Sequence, residues 1–135
     1  MTDVVIQSLK SLNNLRTAPK LTSRQELTLY KELVVAMRDA EWFTVGIMAP
    51  SAEKALNSLR AIESLFNWSP MKVTESPNNE GPVFLKANQK TSQVHIRIEH
   101  GLGEGILLCS QHSDSDKSTC TWGPLPLNFF NKKIS

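Results

Sequence analysis

Lys86, Asn88, His95, Arg97 and Glu99 are the side chains whose types and spacing suit a chemical task. Within residues 82–88, Phe84, Lys86 and Asn88 fall on one side of an extended chain, and Val83, Leu85 and Ala87 on the other. Within residues 93–99, His95, Arg97 and Glu99 alternate with Val94, Ile96 and Ile98. Side chains alternate across a strand, so one face is apolar and the other ionisable. A register that pairs the two segments would gather these polar groups on one surface. Lys86 and Arg97 would supply positive charge, and Glu99 would orient the guanidinium. Such a surface would hold a small anion. The same pattern also describes a solvated sheet face, where a cross-strand ion pair contributes roughly a few tenths of a kcal/mol.

Three other clusters carry residue types suited to chemistry. The run HGLGEG at residues 100–105 is rich in glycine, as phosphate-cradling loops are. Those loops need a following helix whose N-terminal amides face the phosphate, and here a strand is expected to follow. We read the run as a structural turn. Cys109, His112, Cys120 and one of Asp114 or Asp116 would give four metal donors. Their spacing matches no recognised zinc pattern, and the two aspartates lack the rest of a calcium loop. A polar hairpin loop accounts for the same residues, so no metal and no cofactor is assigned. Cys109 with His95 or His100 would make a nucleophile–base pair. No local catalytic signature accompanies it, and no catalytic residue is assigned.

These residues need a scaffold. A chain of 135 residues predicts one domain over residues 1–135, with residues 131–135 a loose tail. Apolar content of 40% and charged content of 21% are those of a globular protein. A net charge of +2 is too small to advertise nucleic acid or an anionic membrane. The sheet segments also offer no pair of exposed aromatics interleaved with basic residues, as single-strand binders use. No stretch approaches the length of a membrane span, and the first residues lack the basic-then-apolar layout expected of a secretory signal. A cytoplasmic protein is the expectation. Cys109 and Cys120 are then expected to be free structural thiols.

In chain order, residues 3–15 predict a short helix with Val5, Leu9 and Leu12 as its stripe. A second helix is expected over residues 23–40. Ser23 with Glu26 makes a capping box, and Thr22 with Gln25 offers another one residue earlier. Its core stripe would be Leu27, Tyr30, Val34 and Met37, with Leu29 and Leu33 beside them. Residues 42–49 read as a strand ended by Pro50. Ser51 would cap a third helix to about residue 67. Its stripe is Ala52, Ala55, Leu56, Leu59, Ile62 and Phe66, with Lys54, Asn57, Arg60 and Glu63 opposite. Residues 71–75 predict a short strand. The unit 42–75 would be a right-handed crossover if its two strands are parallel neighbours; if they lie apart, that rule has no force.

Residues 81–110 predict a meander of three antiparallel strands joined by two tight turns. Residues 106–111 are too apolar to assign a face. Pro124 and Pro126 forbid an interior strand in the last segment. An extended stretch whose Trp122, Leu127 and Phe130 plug the core is expected instead. The ordering predicts an α+β two-layer sandwich: an antiparallel or mixed sheet with about three helices on one face.

Three blocks carry a family likeness: EWFTVGIMAPSAEKALNSLRAIESLFNW at 41–68, EGPVFLKANQKTSQVHIRIEHGLGEGILLCSQ at 80–111 and TWGPLPLNFF at 121–130. In order and spacing they resemble a family of small cyanobacterial proteins known as a domain of unknown function. The resemblance implies a compact α+β domain of a photosynthetic bacterial cytoplasm and brings no activity with it. The function expected first is a non-enzymatic module binding another protein or a second copy of itself. Its contact surfaces would be the open sheet face and the aromatic C-terminal segment. The alternative is a small anionic metabolite held by Lys86, Asn88, His95, Arg97 and Glu99; an enzyme of unknown class comes third. Neither nucleic acid nor membrane is an expected partner.

Overall fold

The structure is a computed structural model that describes residues 21–77, 80–101, 103–112 and 121–131, with side chains throughout except at residues 37–39. The helix expected over residues 3–15, Cys120, Asp114, Asp116 and the tail beyond Asn131 lie outside the described residues. Helix α1 covers Ser23–Asp39. Of the two capping boxes, Thr22 with Gln25 forms: Gln25 N donates to Thr22 Oγ1 at 3.1 Å, and Thr22 N donates to Gln25 Oε1 at 2.9 Å. The expected core stripe is rotated. Leu29 and Leu33 are buried, with Tyr30 and Ala36 packed beside them, while Leu27 is 50% exposed. Both stripes have helical spacing. The observed rotation buries both inner leucines and sends Arg24 and Lys31 to water, at the expense of Leu27 and Val35.

Helix α2 covers Ala52–Leu65, and the Ser51 side chain accepts from Lys54 N at its start. Ala55, Leu59 and Ile62 are fully buried; Ala52, Leu56 and Phe66 pack at the margin. Glu63, expected on the outer side, is instead only 3% exposed. Its carboxylate accepts from Met71 N at 2.7 Å and from Arg60 Nη1 at 2.8 and 3.0 Å. Arg60 also donates to Met71 O at 3.1 Å. The chain folds back after α2, and this carboxylate satisfies the buried amide at the fold-back.

Six strands form one sheet: β1 (Trp42–Ala49), β2 (Lys72–Glu75), β3 (Val83–Asn88), β4 (Gln93–Ile98), β5 (Gly105–Gln111) and β6 (Thr121–Leu125). Their order is β2-β4-β3-β1-β5-β6, antiparallel throughout except for the parallel β2–β4 pair. With two helices among the described residues, this is the mixed-sheet α+β fold. The expected meander is only half present. β3 and β4 form the hairpin, but β5 pairs with β1, and β2 takes the outer edge of β4. Residues 99–104 therefore carry the chain past two strands, a span of roughly 14 Å at about 4.8 Å per step. Burial explains the choice: residues 105–108 of β5 are all buried, so the strand belongs inside the sheet. β1 and β2 are parallel with β4 and β3 between them, so no neighbouring crossover exists.

One face carries the core. Phe43, Val45, Ile47, Val83, Leu85 and Val94 meet Leu59, Ile62, Leu29 and Leu33 from the helices. The C-terminal segment is a strand after all, at the sheet edge where Pro124 removes no interior ladder bond. Trp122 and Phe130 are buried as expected and Leu127 packs beside them; Phe129 is buried too. The Phe129 and Phe130 rings meet edge to face at 4.9 Å. Among the described residues no helix is long and apolar enough to cross a membrane.

Candidate functional site

The face turned away from the helices is laid out in rows by strand register. Arg97, Phe84, Met48 and Gly105 form one row, from β4 through β3 and β1 to β5. His95, Lys86, Gly46 and Leu107 form the next. Asn88, Thr44, Cys109 and Thr121 form a third, from β3 to β6. Gly46, central to the pattern, has no side chain. Phe84 leans into the vacancy: a Cβ at Gly46 would lie 3.3 Å from its ring and 3.7 Å from Leu107 Cβ. The result is a half-open groove of about 600 Å³ with Lys86, His95 and Arg97 on its lining. That volume lies within the range of small-molecule sites.

Three of the five expected residues come together. Lys86 and His95 face each other across the β3–β4 ladder, and Arg97 stands one row away. The Arg97 guanidinium lies 5.6 Å over the Phe84 ring, and its Nε donates to Glu99 Oε1 at 2.9 Å. Glu99 thus orients Arg97 as expected, from outside the groove lining. Asn88 does not join them. Its Oδ1 accepts from Lys90 N at 2.9 Å and Thr91 N at 3.3 Å, which closes the β3–β4 turn. His95 Nδ1 lies 3.2 Å from Thr74 Oγ1 and 3.7 Å from Glu75 Oε1. Among the described residues, no carboxylate lies within ion-pair distance of the Lys86 ammonium.

The far side of the groove was missed. Thr44, Leu107, Cys109, Gln111 and Thr121 line it. Gln111 Nε2 donates to Cys109 Sγ at 3.2 Å and Thr121 Oγ1 donates to it at 3.4 Å. Cys109 is a free thiol, half-buried on the groove face rather than in the helix-side core. His95 is three strands from Cys109, roughly 14 Å at about 4.8 Å per step, so the two cannot share a proton. His100 is exposed beyond the end of β4. Two aromatics also stand on this face: Phe84, which the alternation within residues 82–88 places there, and Trp42, which the sequence reading did not place. Trp42 lies under Lys90 at 4.2 Å and Phe84 under Arg97, each half-buried beneath its own cation. The alternation of Trp42, Thr44 and Gly46 against Phe43, Val45 and Ile47 was the available signal.

A comparison with curated proteins returned no match. Among solved structures, the chain is similar to the crystal structure, at 2.11 Å resolution, of an uncharacterised protein from Anabaena variabilis ATCC 29413. The TM-score is 0.77 at 22% identity, covering 96% of this chain and 95% of that one. At that identity the likeness speaks for the fold. The family model of a domain of unknown function, DUF1824, matches residues 7–130, and the chain belongs to that family.

Proposed function

We propose that this protein is a non-enzymatic binding module of the bacterial cytoplasm whose open sheet face holds a small anion. One observation carries the reading: a groove of about 600 Å³ contains the Lys86 ammonium, which has no carboxylate within ion-pair distance among the described residues, beside His95 and Arg97. A cation without a carboxylate partner, in a concave site, favours a negatively charged occupant. The free Cys109 thiol fits a reducing compartment. The test is a thermal-shift screen of the full chain against small carboxylates and phosphates. A ligand at 100 times its Kd adds about 2.7 kcal/mol, or roughly 10 °C for a domain of this size. The double variant Lys86→Ala/Arg97→Ala is expected to fold and to lose that shift entirely. A shift of equal size in the variant would overturn the reading.

A protein partner is the second reading, and one observation favours it on a different surface. Leu27 and Val35 are 50% and 54% exposed on the outer side of α1. The aromatic C-terminal segment no longer supports that reading, since Trp122, Phe129 and Phe130 are buried in the core. If α1 joins two copies, Leu27→Lys/Val35→Lys converts a dimer to a monomer in light-scattering chromatography. A wild-type chain that runs as a monomer at high concentration rules out self-association.

A further inference from the structure

The charged side chains of the groove all stand at one end. Glu75, Lys86, His95 and Arg97 come from β2, β3 and β4. On the β1, β5 and β6 side, Thr44, Cys109, Gln111 and Thr121 are neutral hydrogen-bonding groups. Between the two ends the wall is apolar. The Phe84 ring and Leu107 close over Gly46, where no side chain intervenes. A simple inorganic anion would use the cationic end alone and leave this apolar middle wet. An occupant charged at both ends would put its second charge among Thr44, Cys109 and Thr121, where the groove lining among the described residues holds no cation.

Resting on the anion-binding reading above, we propose that the groove takes an amphipathic monoanion: one carboxylate or phosphate on Lys86, His95 and Arg97, and a flat uncharged apolar body across Gly46 toward Cys109. The oxyanion end is held by charge-assisted hydrogen bonds from Lys86 and Arg97. The body covers the Phe84 ring and Leu107, and removing that apolar surface from water supplies the larger share of the affinity. The far tip reaches the Thr44 and Thr121 hydroxyls, beside the Cys109 thiol.

Three carboxylates separate the parts: acetate, 2-naphthoate and 2,6-naphthalenedicarboxylate, each titrated into the full chain and followed by amide chemical shifts. The expected result is that 2-naphthoate binds at least about tenfold more tightly than either of the others. In the wild-type chain, 2-naphthoate also slows alkylation of Cys109 by iodoacetamide, read by peptide mass spectrometry so that Cys120 is scored separately. Gly46→Val, which fills the middle of the groove, reduces 2-naphthoate binding to the acetate level. The Cys109 protection needs no variant, so the test stands even if Gly46→Val fails to fold. Equal affinity for acetate and 2-naphthoate overturns this proposal and leaves the anion reading intact. Tighter binding of the dicarboxylate, or 2-naphthoate binding that leaves Cys109 alkylation unchanged, overturns it too. No binding of any of the three removes the anion reading and this proposal together.

Discussion

Glu63→Ala is expected to destabilise the fold by about 3 kcal/mol, lowering the melting temperature by roughly 10 °C. The carboxylate is buried at 3% exposure and holds the fold-back between α2 and β2. Its removal strands the Met71 amide, a buried donor that gives its hydrogen to the carboxylate at 2.7 Å. Leaving one buried donor unsatisfied costs about 1–3 kcal/mol. Arg60 contributes less, because its side chain is 42% exposed and its guanidinium can rehydrate. Two further variants separate these parts. Glu63→Gln keeps an acceptor for Met71 N and is expected to recover about half the loss. Arg60→Ala is expected to cost less than about 1 kcal/mol. Chemical denaturation of the three variants checks the ranking. If Arg60→Ala is as damaging as Glu63→Ala, the ion pair rather than the satisfied amide holds this junction.

The second large effect lies on the edge strand. Gly123 has φ +134°, a conformation that side-chain-bearing residues rarely adopt. A Cβ there would collide with the Ile106 carbonyl oxygen and come within 2.8 Å of Leu107 Cδ2 and 3.0 Å of Leu107 Cα. Two of those neighbours are backbone, on β5, so no side-chain rotation relieves the clash. The β5–β6 register shifts between Ile106 and Leu108, and Gly123 permits the close approach at that irregularity. Gly123→Ala is expected to cost about 3 kcal/mol or more, from overpacking and backbone strain together. Gly101 is the control. Its φ is +83°, and a Cβ there meets nothing within 4 Å. Gly101→Ala is expected to cost only about 1 kcal/mol, the backbone term alone. Equal losses in urea unfolding would show that the β5 contact contributes nothing.

What the sequence made legible was local. The limits of β1 follow from aromatic and β-branched residues ended by Pro50, and the capping box at Thr22 follows from spacing. The polar face carrying Lys86, His95 and Arg97 follows from two-residue alternation, and the ladder pairs Lys86 with His95 as required. What was hidden depends on partners distant in the chain. The placement of β1 between β3 and β5 makes Gly46 the floor of a groove, and no local pattern reports a strand's neighbours. A helical wheel puts Glu63 outside because it is charged. Only the returning Met71 amide makes burial favourable. Asn88 alternates correctly with Lys86 and still serves the turn, because an Asn side chain can cap backbone amides that follow it. Pro124 rightly excluded an interior strand, yet an edge was open to it.

The anion site proposed for the open-face groove is built on Lys86 and Arg97. Amide and side-chain chemical shifts during a 2-naphthoate titration test it most directly, in the wild-type chain and in Lys86→Ala/Arg97→Ala. Saturable shifts concentrated at Gly46, Phe84, Lys86, His95 and Arg97 are expected, with none in the double variant. Shifts that persist in the variant, or that centre on α1 or on the buried C-terminal aromatics, would contradict it.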